Sequence, residues 1–221
     1  MSAAAYTVKT TTLRIGADDY RVRSLVDRQQ FSDPAGLAES LGISSATWPL
    51  FGVTWPAGIA LAEEMTDFAI AGKRILEVGC GLGLISLVLQ RRGADITACD
   101  HHPLAEEFLR QNCELNGLAP VPFVRAPWEG PNPNLGKFDL ILGGDLLYER
   151  DHPALLSGFV AQHANPVSEV IVSDPGRPHC GRFAKLMIEQ GYVRTDRRFR
   201  ATGSEGPAPR GRIMSFVRTQ G

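Results

Sequence analysis

Ile75-Leu76-Glu77-Val78-Gly79-Cys80-Gly81-Leu82-Gly83 sets a carboxylate at the end of an apolar, strand-like run and follows it with glycines at every second position. A helix-like run begins at Leu84. Glycines here let the chain turn sharply and bring the backbone close to a ligand where a Cβ would collide. A dinucleotide fingerprint has its last glycine after an intervening pair, at the position held here by Leu84, so Gly-x-Gly-x-Gly disfavours a nicotinamide cofactor. Farther on, Asp100 follows a second strand-like run, where a carboxylate can accept both hydroxyl protons of a ribose lying across the strand ends. Glu77, Gly79, Gly81, Gly83 and Asp100 are therefore the expected core of a nucleoside-binding site.

Outward from this motif, short apolar runs alternate with amphipathic ones. Strands are expected at 74–78, 95–99, 121–125, 138–143 and 169–173, and helices at 84–92, 103–116, 153–163 and 180–190, with Gly117 stopping the second helix. Residues 192–200 and 212–218 flank a Gly/Pro-rich loop with no room for a helix, which predicts an antiparallel hairpin. The fold class is α/β: a seven-stranded, mostly parallel sheet with a C-terminal antiparallel hairpin and helices on both faces. Ahead of it, 12–15 and 20–25 predict a small hairpin around Gly16-Ala17-Asp18-Asp19. A short helix is expected over 34–41, capped by Asp33 and stopped by Gly42. Residues 1–50 thus read as an extension of a domain spanning 51–221. The loop 201–211 is expected to be the most mobile piece.

Composition narrows the function. The 221 residues are 43% hydrophobic and carry 23 Lys+Arg against 24 Asp+Glu, a net charge of -1. Such a balance provides no global field for capturing nucleic acid or an anionic membrane. No apolar segment resembles a signal or a membrane span, and the expected compartment is the cytoplasm. Cys80, Cys99, Cys113 and Cys180 have neither metal-ligand nor disulfide spacing and read as small buried residues, so no metal is expected. The five histidines lie in loops and at helix ends, where surface roles predominate. No Gly-x-Ser-x-Gly elbow supports a hydrolase triad.

With four further segments, the chain resembles the seven-β-strand, Rossmann-like methyltransferases and, within them, the protein-lysine methyltransferase family. Trp55-Pro56-Ala57-Gly58 is similar to its Trp-Pro signature, and Asp145-Leu146-Leu147-Tyr148 to its Asp/Glu-x-x-Tyr/Phe motif. Asn112-Cys113-Glu114-Leu115-Asn116 and Asp174-Pro175-Gly176-Arg177-Pro178 are also similar to segments of members. The resemblance runs from about Trp55 to Pro178; Glu77 stands where the group usually has Asp, and the first 50 residues carry no resemblance. It implies S-adenosylmethionine as cofactor and, as partner, a protein with a target lysine, the β-subunit of electron-transfer flavoprotein being the first candidate. Neither nucleic acid nor membrane is expected as a partner, and the chain is expected to be a monomer.

Each of the remaining candidate residues has a functional reading and a plainer alternative, the resemblance favouring the functional one for Trp55. Trp128 packs on adenine, or is a half-buried loop residue. Trp55 closes over the methionine end of the cofactor, or pins the N-terminal segment to the sheet. Asp145, beside Gly143 and Gly144 at a strand end, binds and orients the acceptor amine, or caps a helix. Tyr148 lines the acceptor channel, or packs in the core. Arg177 grips an acidic group of the substrate, or is solvated. At a reference pKa near 10.4, only about one lysine amine in a few thousand is neutral at pH 7, and a carboxylate such as Asp145 opposes deprotonation. Methylation of a small-molecule amine is the second enzymatic reading. A binding module without turnover is the reading from another class.

Overall fold

The computed structural model describes residues 6–200 and 210–219. It opens with a two-stranded antiparallel ribbon, β1 (Val8–Ile15) and β2 (Asp18–Leu25). The turn is shorter than the sequence suggests, because Asp18 and Asp19 already pair with Ile15 and Arg14. β1 also starts earlier than expected. Its first five residues are exposed, so they carry no apolar alternation by which to read a strand.

A single helical turn, α1 (Leu37–Ser40), follows, shorter than expected and started by Gly36 in the left-handed region. Asp33 is not its cap residue, although its carboxylate accepts the Glu39 amide at 2.9 Å. A 3₁₀ turn over Trp48–Gly52 leads to α2 (Pro56–Glu64), a helix the sequence reading misses. Ala57, Gly58, Ala60 and Ala62 give it little amphipathic contrast.

The core alternates as expected: β3 (Arg74–Val78), α3 (Leu84–Arg91), β4 (Asp95–Asp100), α4 (Ala105–Leu115), β5 (Phe123–Arg125), β6 (Phe138–Gly144), α5 (His152–His163), β7 (Ala164–Asp174), α6 (Cys180–Glu189), β8 (Val193–Arg200) and β9 (Arg210–Arg218). β5 is shorter than 121–125. Pro122 has no N–H to donate to a ladder, though its carbonyl accepts the Ala98 amide at 2.9 Å. β7 is longer than 169–173, since α5 turns into it at Ala164 without a loop. The expected loop 201–211 falls mostly outside the described residues.

The seven strands lie in the order β5-β4-β3-β6-β7-β9-β8, the first five parallel, with β9 antiparallel to both β7 and β8. Alternation along the strands divides the core. Ile75, Leu140, Leu142 and Ile171 face α2, α3, α4 and the N-terminal ribbon. Leu76, Val78, Ile141 and Val170 face α5 and α6. The chain leaves β3 toward β4 and β5, then returns to build β6 and β7 on its other side. The carboxyl ends of β3 and β6 therefore flank a topological switch point, where open α/β sheets leave a crevice for ligands.

The ribbon is held by two asparagines, Asn112 in the last turn of α4 and Asn116 just past its end. Asn116 accepts the Arg21 amide at 2.9 Å and donates to the Arg21 carbonyl at 2.8 Å. One turn earlier, Asn112 accepts the Arg23 amide at 2.7 Å and donates to the Arg23 carbonyl at 3.3 Å. Four helical residues rise about 6 Å and two strand residues about 6.6 Å, so the two amides read alternate residues of β2 as a neighbouring strand would. Tyr20, Val22 and Leu25 then bury on this side of the sheet.

Candidate active site

At the switch point lies a cavity of about 710 Å³, within the range of small-molecule sites. Trp55, Glu77, Gly79, Gly81, Asp100, Trp128, Gly144, Asp145, Tyr148 and Arg177 all line it. Gly83 alone of the predicted set does not. It starts α3 at a φ of 76°, and a Cβ there would strike Leu109.

On the β3–β4 side, main-chain amides hold the carboxylates. Asp100 accepts the Gly81 amide at 2.8 Å through Oδ2 and the His102 amide at 2.7 Å through Oδ1. Burial raises its pKa, opposed by these two bonds. Glu77 accepts the Ser86 amide at 2.8 Å, in the first turn of α3, and also the Ser86 hydroxyl. Its carboxyl, almost fully buried, is pushed up to about 7 by desolvation, partly offset by Ser86 and reinforced by Asp100. Gly81 adopts a φ of 53°, and a Cβ on it would lie 2.7 Å from the Phe51 carbonyl, so the 3₁₀ turn sits tightly on the glycine loop. Asn112 also donates to the Leu82 carbonyl at 3.0 Å, tying this loop to the ribbon through α4.

Across the switch point the arrangement differs. Gly144 has no room for a Cβ, which would lie 2.9 Å from the Gly58 Cα, so α2 packs directly on the end of β6. The next residue, Asp145, takes a φ of 61° and is the only non-glycine among the described residues at positive φ. Such conformations cost on the order of 1–3 kcal/mol and persist where the surroundings over-determine them. Here the Asp145 amide donates to the Ser173 carbonyl at 2.8 Å, and the Ser173 hydroxyl donates to the Ala57 carbonyl at 2.7 Å. The Asp145 carboxylate meets Arg177, whose Nε donates to Oδ1 at 2.9 Å and whose Nη2 forms an ion pair with the same oxygen at 2.9 Å. Burial raises the Asp145 pKa, and the arginine opposes the rise. Arg177 is itself placed by Asp174, whose Oδ1 accepts the Gly176 and Arg177 amides at 2.6 Å each. A side chain therefore closes the Asp-Pro-Gly-Arg turn.

Several wall residues carried no signal that the sequence reading used. Phe51 stacks on His102 with centroids 3.7 Å apart. His102, buried rather than on the surface, is pushed down to about 3 mainly by desolvation, so its ring is neutral. His163 is also buried, bonding the Gly136 carbonyl at 2.9 Å beneath the sheet. His152 stands edge-on to Trp128 at 5.1 Å and Tyr148 at 4.4 Å, joining them in one aromatic wall. Trp55 lines the cavity while its indole donates to the Leu50 carbonyl at 3.0 Å. The four cysteines are buried and unpaired. Among the described residues no cluster of metal-ligating side chains exists, and no helix is long and apolar enough to cross a membrane.

A Gly-x-Gly-x-Gly turn, a strand-end acid and a crevice at the switch point of this sheet define the Rossmann-like methyltransferase class. The fold agrees with that of magnesium protoporphyrin IX methyltransferase (ChlM) of Synechocystis PCC 6803, solved with bound SAM: TM-score 0.56, 19% identity, over 72% of this chain and 77% of that one. More narrowly, residues 44–183 match the lysine methyltransferase family, and the chain belongs to it. The electron transfer flavoprotein beta subunit lysine methyltransferase of Rattus norvegicus is 36% identical over 138 residues, 59% of this chain and 52% of that protein. Protein N-lysine methyltransferase METTL21A of Danio rerio is 38% identical over 124 residues, 51% of this chain and 56% of that protein. The chain thus matches little more than half the length of these relatives.

Proposed function

We propose that this chain is an S-adenosylmethionine-dependent N-methyltransferase acting on a lysine side chain of a protein. The observation that carries this is the pairing of two unlike carboxylates across one cavity: Asp100 fixed by main-chain amides beside the glycine loop, and Asp145 beside Tyr148 at the other edge of the switch point. The first suits ribose hydroxyls. The second suits an amine.

The cavity's residues fit the cofactor. Each Asp100 oxygen holds one amide and keeps acceptor capacity for a hydroxyl. The flat faces of the Phe51–His102 pair and of Trp128 suit an adenine ring, and Glu77 keeps the glycine loop on α3. S-adenosylmethionine, when bound, supplies an electrophilic methyl group on a sulfonium. That methyl would pass to the lone pair of a neutral amine, leaving the thioether product, and the surplus proton of the new ammonium would go to water. Asp145 and Tyr148 orient the amine for in-line attack, and Trp55 closes the methionine end. Much of the rate then comes from positioning.

The β-subunit of electron-transfer flavoprotein is the first acceptor to test, on the strength of family membership and the likeness to the rat enzyme. The near-neutral chain is read as a cytoplasmic monomer without nucleic-acid or membrane partners. Incubation with methyl-labelled cofactor and cell lysate, followed by mass spectrometry, should place label on lysine in a protein. Label confined to small molecules, or on arginine, histidine or nucleic acid, overturns the lysine reading. Tight NAD binding with no melting shift from S-adenosylhomocysteine overturns the methyltransferase reading itself.

A further inference from the structure

Asp145 poses a problem for amine methylation. An unpaired carboxylate stabilises an ammonium, and an ammonium has no lone pair with which to attack. The geometry points to Arg177 as the residue that resolves it: we propose that Arg177 is a charge-balancing positioning residue, which neutralises Asp145 so that the acceptor amine is bound without being held protonated. This rests on the lysine reading above.

The Nε hydrogen bond and the Nη2 ion-pair contact of Arg177 both fall on Oδ1 of Asp145. Oδ2 makes no hydrogen bond among the described residues and is not one of the sealed polar atoms, so in this cavity-lining residue it is the oxygen left for an incoming amine. The pair as a whole is neutral. An amine therefore meets a hydrogen-bond acceptor of fixed direction without a net negative charge behind it. The direction is fixed twice, by the left-handed backbone of Asp145 and by the turn that Asp174 closes under Arg177.

The other charged or titratable groups around the pair do not replace Arg177. Asp174, at the end of β7, adds negative charge. Glu149, in the loop after β6, sits 3.9 Å from His152 at the start of α5. Tyr148 is raised by desolvation of its hydroxyl and stays neutral at assay pH. On the α2 side the cavity is lined by Thr54, Trp55 and Gly58, none of which carries charge. Without Arg177, Asp145 would meet the acceptor as an unpaired carboxylate, with the buried Asp174 behind it.

The test combines two readouts. Single-turnover methyl transfer to the electron-transfer flavoprotein β-subunit is measured from pH 6.5 to 10 for the parent, Arg177→Gln and Arg177→Lys. Binding of butylammonium, a stand-in for the lysine side chain, is measured at pH 7.5 on the same proteins saturated with S-adenosylhomocysteine. Arg177→Gln should move the rising limb of the rate profile up by about one pH unit or more, so that a loss of about tenfold at pH 7.5 shrinks toward pH 10. It should also bind butylammonium more tightly than the parent. Arg177→Lys should restore the limb toward the parent position. A loss of equal size at every pH, with butylammonium binding unchanged or weaker, overturns the proposal and leaves Arg177 a purely structural residue. If the parent transfers no methyl to this subunit, that acceptor fails, and butylammonium binding alone decides whether Arg177 balances charge.

Discussion

The two sides of the switch point hold their carboxylates by different means. Asp100 and Glu77 are tied by amides of the chain itself, from Gly81, His102 and Ser86, which lie 19, 2 and 9 residues from the acids they bond. Asp145 is tied by a side chain 32 residues away. Main-chain donors cannot leave without unfolding a turn or a helix end, whereas a guanidinium is held by one partly exposed ion pair and the turn beneath it. The side proposed for the cofactor is therefore set before anything binds. The side proposed for the acceptor leaves Oδ2 of Asp145 open beside the arginine.

The largest expected effect tests how completely the cofactor side is fixed. Glu77 titrates near 7 in the folded protein against 4.5 as its ordinary value, so the native state binds its proton more tightly than the unfolded chain. The sign follows: this site's contribution to stability is greatest below pH 4.5 and is lost as pH rises to about 7, by roughly 3 kcal/mol. Glu77→Gln can still accept the Ser86 bonds but carries no charge to desolvate. Melting curves between pH 4.5 and 8 should show a flatter dependence in the variant and a higher melting temperature at pH 8. Equal slopes in the two proteins would remove Glu77 as their source.

A paired substitution separates the two sides. Asp145→Ala should lower methyl transfer by about 10- to 100-fold, the worth of one hydrogen bond to a charged group, while leaving S-adenosylhomocysteine affinity within twofold or so of the parent. Asp100→Ala should weaken that affinity by a similar factor and reduce the ligand-induced melting shift. Calorimetry and single-turnover rates distinguish them. If Asp145→Ala loses cofactor affinity in step with rate, or keeps the parent rate, the division of labour is wrong.

A smaller effect tests the link from the cofactor loop to the N-terminal ribbon. Asn112→Ala removes a part-buried bond to Arg23 and a buried one to Leu82 and should cost about 1–3 kcal/mol in chemical unfolding; Asn116→Ala, at a half-buried position, should cost about 1 kcal/mol. Asn112→Ala should also weaken cofactor binding slightly, and Asn116→Ala should not. Equal and negligible effects from both would mean that the apolar contacts of Tyr20, Val22 and Leu25 hold the ribbon without the asparagines.

What the sequence determined by itself was local. The glycine spacing, the strand-end acids Glu77 and Asp100, and the alternation of short apolar runs with amphipathic ones are set by backbone sterics and by burial on one face, which act within a few residues. They placed the core strands and helices, and the resemblance carried by the short motifs added Asp145, Tyr148 and Arg177 to one site. Tertiary structure alone decided who meets whom. It paired Arg177 with Asp145, set Asn112 and Asn116 on β2, closed the Phe51–His102 stack over the glycine loop and raised His152 into the aromatic wall. The helix Pro56–Glu64 also stayed hidden, because its small residues earn their place by fitting against β6 and not by amphipathic contrast. Such contacts depend on distance in space between residues far apart in the chain, and no spacing along the sequence encodes that distance until the sheet has formed.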